Sequence, residues 1–260
     1  MPLEISKELE DIKNYYENDI KQSTFSALVL GESGSGKTFL IRTARKPVFI
    51  DSFDPGGTRA LKDLISSNDI VVDTRWENED PLKPSVYKEW KATFDRRVRE
   101  KFFNQFATYV LDSVTTWSDA IMNDVLRKAG IAGEAPRFTK DYTPQKNEIK
   151  NYLNKMLRLP CDFLALGHLK LVEDPVEGAV YRFMTTGQGM VTIPLMFDEI
   201  YVMSPKQTSS GIEYRMLTNS TGKYVARSRL CSNGKLDAYE KPDISNILKK
   251  VGYDYKRKEV

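Results

Sequence analysis

Gly31-Glu32-Ser33-Gly34-Ser35-Gly36-Lys37-Thr38 satisfies every fixed position of the phosphate-binding pattern G-x-x-x-x-G-K-[ST]. Such a loop needs glycines where backbone N–H groups close around phosphate oxygens, a lysine that reaches the β- and γ-phosphates, and a final hydroxyl for Mg²⁺. Gly31, Gly36, Lys37 and Thr38 fill those positions, and Glu32, Ser33, Gly34 and Ser35 complete the cradle. The flanking residues give the setting that an ordinary Gly/Ser turn lacks. Phe25 to Leu30 is a short apolar run that predicts a strand entering the loop, and Phe39 to Arg42 continues as a helix whose N-terminus faces the phosphates. The expected ligands are ATP and Mg²⁺.

A second acid should complete the metal site. Phe106 to Ser113 is an apolar strand that delivers Asp112 at its end, so Asp112 is the expected partner of Thr38 in holding the metal. Asp112-Ser113 also suits the cap of a helix from Val114 to Lys128, and both roles can hold at once. Pro47 to Asp51 predicts another buried strand, ended by Ser52-Phe53-Asp54-Pro55-Gly56-Gly57. Asp51 and Asp54 are therefore candidates for the general base at the carboxyl edge of a sheet, with Glu32 a further one. His168, the single histidine, ends a strand from Asp162. It either senses the γ-phosphate by hydrogen bond or is structural.

The whole chain bounds these readings. Its 260 residues are 40% apolar and 29% charged, enough for one large α/β core. An N-terminal helical extension (1–22), an ATPase core (23–240) and a basic tail (241–260) are the expected parts. Ile5, Leu9, Ile12 and Tyr16 lie at helical spacing between Glu4 and Ile20, which suits a cap on the sheet or a contact with a neighbouring subunit. Cys161 and Cys231 lack metal-ligand spacing and read as small thiols in or beside strands. No apolar run spans a membrane, and Met1-Pro2-Leu3-Glu4 opens an acidic helix rather than a secretory signal, so a cytoplasmic protein is expected. A net charge of +3 is too small to argue for nucleic acid by itself.

Local patterns carry that case. Arg137, Phe138, Lys140 and Tyr142 interleave cations with rings in a Gly- and Pro-rich stretch from Ala129 to Gln145, which suits single-stranded nucleic acid or a solvated loop. A helix from Pro144 to Leu159 follows. Leu169–Val172 and Ala179–Met184 predict a hairpin, and the segment Thr185 to Met190 beyond it either faces ligand or simply connects. Two further strands are expected at Phe197–Met203 and Glu213–Leu217. Arg227 and Arg229 either flank a surface strand or supply a cation to a neighbour's phosphate site. Lys249, Lys250, Lys256, Arg257 and Lys258 suggest a frayed basic end.

Taken in order, GESGSGKT at 31–38, FIDSFDPGG at 49–57, YVLDSVTTW at 109–117, LGH at 166–168, FDEIYVM at 197–203 and VARSR at 225–229 resemble the phage AAA-type nucleotide-binding family that includes Sak-type, RecA-like single-strand annealing ATPases. The resemblance implies an α/β RecA-like P-loop NTPase, with a twisted, mostly parallel sheet covered by helices on both faces. It also implies ATP hydrolysis, single-stranded DNA as partner, assembly into a homo-oligomer, and work beside phage recombination or replication proteins in the host cytoplasm. One departure stands out: such ATPases commonly place a glutamate soon after the second strand, where this chain has Phe53 and then Asp54. A nucleotide-switched binding module, such as a helicase loader, is the alternative. A small-molecule phosphotransferase is disfavoured because no acceptor or lid motif is visible, and the lack of an N-K-x-D motif favours ATP over GTP.

Overall fold

The computed structural model describes residues 7–20, 23–176, 178–185, 189–230 and 234–259. Cys231, residues 186–188 of the predicted ligand-facing segment and the first residues of the predicted N-terminal helix lie outside them.

Six strands form the parallel body of the sheet: β1 (Ser26–Gly31), β2 (Val48–Ser52), β3 (Ile70–Asp73), β4 (Thr108–Asp112), β5 (Asp162–Asp174) and β7 (Glu199–Met203). Most are near-continuous apolar runs because both of their faces are covered. Their spatial order is β3-β2-β4-β5-β1-β7, so the P-loop strand is internal and β5 separates it from the strand that carries Asp112. Beyond β7 the sheet turns antiparallel, through β10 (Met216–Leu217) and β12 (Tyr239–Glu240), while β11 (Arg227–Ser228) pairs with the start of β7. β5 runs on past the sheet edge and pairs with β6 (Gly178–Phe183), Leu169 opposite Phe183, which is the predicted hairpin. The connection that follows β7 contains a two-stranded hairpin, β8 (Lys206–Thr208) with β9 (Gly211–Glu213).

Helices cover both faces. On one, α4 (Val86–Arg99), α5 (Val114–Lys128), α6 (Tyr142–Met156) and α7 (Gly189–Leu195) bring Trp90, Trp117, Tyr152 and Ile193 onto Phe49, Tyr109 and Phe163 of the strands. On the other, α2 (Lys37–Leu40), α3 (Lys62–Ser66) and α8 (Ile244–Val251) bring Leu40, Leu64 and Ile247 onto Val29, Ile50 and Tyr201. A mainly parallel, two-sided sheet with an internal P-loop strand is the RecA-like P-loop architecture expected from the sequence.

α4 stops at Arg99, because Lys101 adopts a left-handed φ of 55° and a tight turn at Phe102–Gln105 follows. Two elements differ from expectation. The basic tail is not frayed. Ile244, Ile247, Leu248 and Val251 lie at 3–4-residue spacing and bury one face of α8, Asp243 caps its first turn by accepting from Asn246 N, and Lys258 N donates to Lys46 O at 2.8 Å. Finally, α1 (Lys7–Glu17) buries none of its residues, so it does not cap the sheet; Ile12, Tyr15 and Tyr16 are exposed.

Candidate nucleotide and metal site

The P-loop leaves β1 at the carboxyl edge of the sheet. Gly36 has φ of 91° and Gly34 of 76°, backbone that side chains resist. Gly31 has no room for a Cβ, which would stand 2.3 Å from Ser35 Oγ. Lys37 folds back over the loop, and its Nζ donates to the carbonyls of Gly31 and Glu32 at 2.9 Å each. Burial pushes its pKa down, against the opposing charges of Asp112, Asp54 and Glu32. The helix that follows is short, four residues of α2 and then a tight turn at Ile41–Thr43.

Thr38 Oγ1 donates to Asp112 Oδ2 at 3.0 Å, which joins the two residues expected to share the metal. Asp112 is buried, and that burial, with the nearby charge of Asp54, raises its pKa to about 6 despite Thr38 and Lys37. Asp54 lies beside it. Its backbone N–H donates to Asp112 O at 3.2 Å; Oδ1 accepts from Ser113 Oγ at 2.8 Å and from Thr116 Oγ1, and Oδ2 meets His168 Nε2 at 2.7 Å. Burial works to raise the Asp54 pKa, but hydrogen bonds from His168, Thr116 and Ser113 outweigh it and the net shift is downward. Ser113 also caps α5, its Oγ accepting from Thr116 N at 3.3 Å. His168 is placed by β5, whose register sets it opposite Gly31, and its N–H donates to Thr115 Oγ1 at 3.0 Å.

The site suits a hard divalent cation. Its donors are a hydroxyl and a carboxylate, the oxygen chemistry Mg²⁺ prefers alongside phosphate oxygens and water. Gly57 provides the space, since a Cβ there would stand 3.7 Å from Asp112 Oδ2 and 3.9 Å from Thr38 Oγ1. Among the described residues no group of three or more His, Cys, Asp or Glu side chains is arranged to hold a metal alone.

Asp51 is elsewhere. It points into the opposite core, fully buried, where Oδ1 accepts from Trp76 Nε1 at 2.9 Å and Arg97 Nη1 at 3.0 Å, and Oδ2 from Trp90 Nε1 at 3.0 Å and Tyr109 OH at 2.8 Å. Four donors fill its acceptor sites, so it has no lone pair for a water and is removed from the candidate bases. Glu32 is exposed within the P-loop. No sequence signal gave Ser113, expected only as a cap, or Thr116 the task of holding Asp54, and none marked Glu77, whose Oε1 accepts from Ser52 Oγ at 2.7 Å and Oε2 from Gly56 N at 3.2 Å. The connection between β3 and α4 brings Glu77 there.

The pattern of the AAA domain family matches residues 23–230. The chain belongs to that family. Among solved structures, this AAA domain is similar to the KaiC-like protein of Pyrococcus horikoshii, with a TM-score of 0.41 at 12% identity, over 79% of this chain and 82% of that one. It is also similar to the flagellar accessory protein FlaH of Methanocaldococcus jannaschii, with a TM-score of 0.43 at 12% identity, over 78% and 82%. Comparison with curated protein sequences gives no match. No helix among the described residues is long and apolar enough to cross a membrane.

The predicted nucleic-acid residues separate into two neighbouring cavities on α6. Phe138, which is 86% exposed, and Tyr142, in the first turn of α6 rather than a loop, line one of about 440 Å³ with Lys146, Gly189 and Thr192. Arg137 and Lys140 line the other, of about 630 Å³, with Lys128 and Asn151. Arg137 is engaged, however: its backbone N and guanidinium both donate to Asp141, with Nη2 to Oδ1 at 2.8 Å. The two candidate arginine fingers start from the amino end of β7, the sheet edge opposite the P-loop. Arg227 Nη2 is spent on the carbonyls of Pro194 and Phe197, at 2.8 and 2.6 Å, while Arg229 is an exposed partner of Asp198 at 2.7 Å. Neither reaches the P-loop of its own chain.

Proposed function

We propose that this AAA domain binds and hydrolyses ATP with Mg²⁺, and that it binds single-stranded DNA in support of recombination or annealing. The observation that carries the first part is the Thr38–Asp112 hydrogen bond beneath a complete P-loop. Bound there, Mg²⁺ would neutralise charge on the β- and γ-phosphate oxygens. Lys37 would exchange its two carbonyl partners for phosphate oxygens, and P-loop amides would hold the rest of the chain of phosphates. Water would then attack in line: its oxygen bonds to the γ-phosphorus as the bond to the β–γ bridging oxygen breaks, giving ADP and phosphate. Asp54 is the best-placed carboxylate to orient that water and take its proton, with His168 fixing Oδ2. In an oligomer, exposed Arg229 is the better of the two arginines to approach a neighbour's phosphates.

Phe138, Tyr142 and Lys146 around one cavity support the DNA reading, since rings stack on bases while a cation follows the backbone. A specific observation also favours the alternative, a nucleotide-switched module such as a helicase loader. Asp54 already accepts three hydrogen bonds, which restrains it as a base and suits a slow switch. Hydrolysis assayed with single-stranded DNA, duplex DNA and none separates the two: stimulation by single strands supports the recombination ATPase, whereas slow, DNA-independent turnover supports the switch.

A further inference from the structure

The geometry points to Glu77 as a positioning residue for phosphate chemistry, acting through the Asp54–Gly57 turn that roofs the Thr38–Asp112 site. This rests on the reading of that site as a Mg·nucleotide centre. Three observations lead to it. The Gly57 Cα hydrogens face Asp112 and Thr38 across the gap a metal and its waters would fill, so the position of this turn sets the ceiling of the site. Gly56, at a left-handed φ of 71°, donates its N–H to Glu77 Oε2 at 3.2 Å. Ser52, which lies opposite Asp112 in the register of β2 and β4, donates its hydroxyl to Glu77 Oε1 at 2.7 Å. One carboxylate thus ties the roof of the site to the strand beside its floor.

Glu77 is itself held from behind. The neighbouring residue Trp76 is buried and donates Nε1 to Asp51, so the four-donor centre around Asp51 fixes the connection that carries Glu77. That gives the buried Asp51 centre a consequence at the site without any contact between Asp51 and substrate. It also offers a physical answer to the missing glutamate after β2: a glutamate arrives at this edge from the next connection and orders the turn that holds Asp54. The turn is otherwise fastened to β4 by the Phe53 and Asp54 amides on Asp112 O, at 2.5 and 3.2 Å, so Glu77 governs its outer half, Gly56–Gly57.

Glu77→Ala tests this in the full-length protein. Loss of the carboxylate releases both anchors, the Ser52 hydroxyl and the Gly56 N–H, whereas an amide at this position could turn and keep both. Side chains that bond metal ligands directly typically contribute about 10–100-fold to metal affinity or activity, which is an upper bound for Glu77 because it bonds neither Thr38 nor Asp112. Mn²⁺ bound in the presence of ADP, read by electron paramagnetic resonance, should weaken by up to about tenfold, and kcat should fall while KM for ATP stays put. ADP affinity without divalent ion, measured by calorimetry, should be unchanged. Gly57→Ala, which enters the same gap from the other side, should reproduce the Mn²⁺ defect. Wild-type Mn²⁺ affinity and kcat in a folded Glu77→Ala variant overturn the proposal, as does an equal loss of metal-free ADP binding, which would mean a structural role only. If the wild-type protein itself binds neither ADP nor Mn²⁺, the failure is that of the nucleotide-site reading instead.

Discussion

Asp54 Oδ2 and His168 Nε2 stand 2.7 Å apart, so two residues 114 positions apart in sequence close the carboxyl edge of the sheet beside the P-loop. The same carboxylate takes hydroxyl hydrogen bonds from Ser113 and Thr116 at the head of α5. Removing the charge should therefore affect chemistry more than affinity. Asp54→Asn is expected to lower single-turnover hydrolysis by about 10²–10⁴-fold, the range for loss of a general base. ATP affinity should change little. Wild-type turnover in this variant would move the base to another carboxylate, with Glu32 next.

Asp51 gives the opposite result. Asp51→Asn puts an N–H₂ among four donors in the core and leaves the Arg97 guanidinium, about 10% exposed, without half of its ion pairing. Breaking a buried pair in this way costs on the order of 3–5 kcal/mol. Urea denaturation should show a loss of that size for Asp51→Asn and a much smaller one for Asp54→Asn. Equal stabilities would contradict the division of roles between the two acids.

Binding of single-stranded DNA should depend on the Phe138 ring and less on Arg137 than the sequence suggests, because Arg137 is committed to Asp141. Phe138→Ala should weaken binding by about 1–3 kcal/mol, the contribution of one stacked base. A Lys140→Glu/Lys146→Glu pair should also flatten the salt dependence. Fluorescence anisotropy with labelled oligonucleotides at several salt concentrations measures both. If wild type binds and neither variant weakens it, the surface lies elsewhere.

A pH effect on stability follows from Asp162, at the start of β5. Burial pushes its carboxyl up to about 6, against the Phe25 N–H on Oδ1 and the guanidinium of Arg45, which is 3.2 Å from Oδ2 but poorly aligned for a hydrogen bond. A group whose folded pKa is raised stabilises the fold fully below its unfolded value, and that contribution is lost as pH rises through the folded one. The window here is about pH 4 to 6, with an upper bound of about 3 kcal/mol. Asp162→Asn keeps an acceptor for Phe25 and should remove this part of the slope. Urea midpoints between pH 4 and 7 should thus fall in wild type relative to the variant; parallel curves would contradict the assignment.

Much of the site was legible because its chemistry is written in short, local signals. The P-loop needs glycines at fixed steps, and the Asp112 strand ends where Ser113 begins a helix, so both could be read without knowing the partners. Asp51 and Asp54 could not be separated that way. They are three residues apart at the end of one strand, and only Trp76, Trp90, Arg97 and Tyr109, brought in from other elements, show which carboxylate is occupied in the core. Glu77 was invisible for the same reason. In α8, Lys249 and Lys250 drew attention to charge, although the apolar spacing of Ile244, Ile247, Leu248 and Val251 already contained a buried face. Arg227 looked like a reaching cation until the fold placed the carbonyls of Pro194 and Phe197 beside it.

The most direct test of the central claim is calorimetric titration of ATP into the wild-type protein, with and without Mg²⁺, alongside Lys37→Ala and Asp112→Asn. The account predicts ATP binding by wild type that Mg²⁺ strengthens, loss of binding in Lys37→Ala, and binding in Asp112→Asn that survives but no longer responds to Mg²⁺. Unchanged, Mg²⁺-responsive ATP binding in folded Lys37→Ala and Asp112→Asn proteins would contradict it.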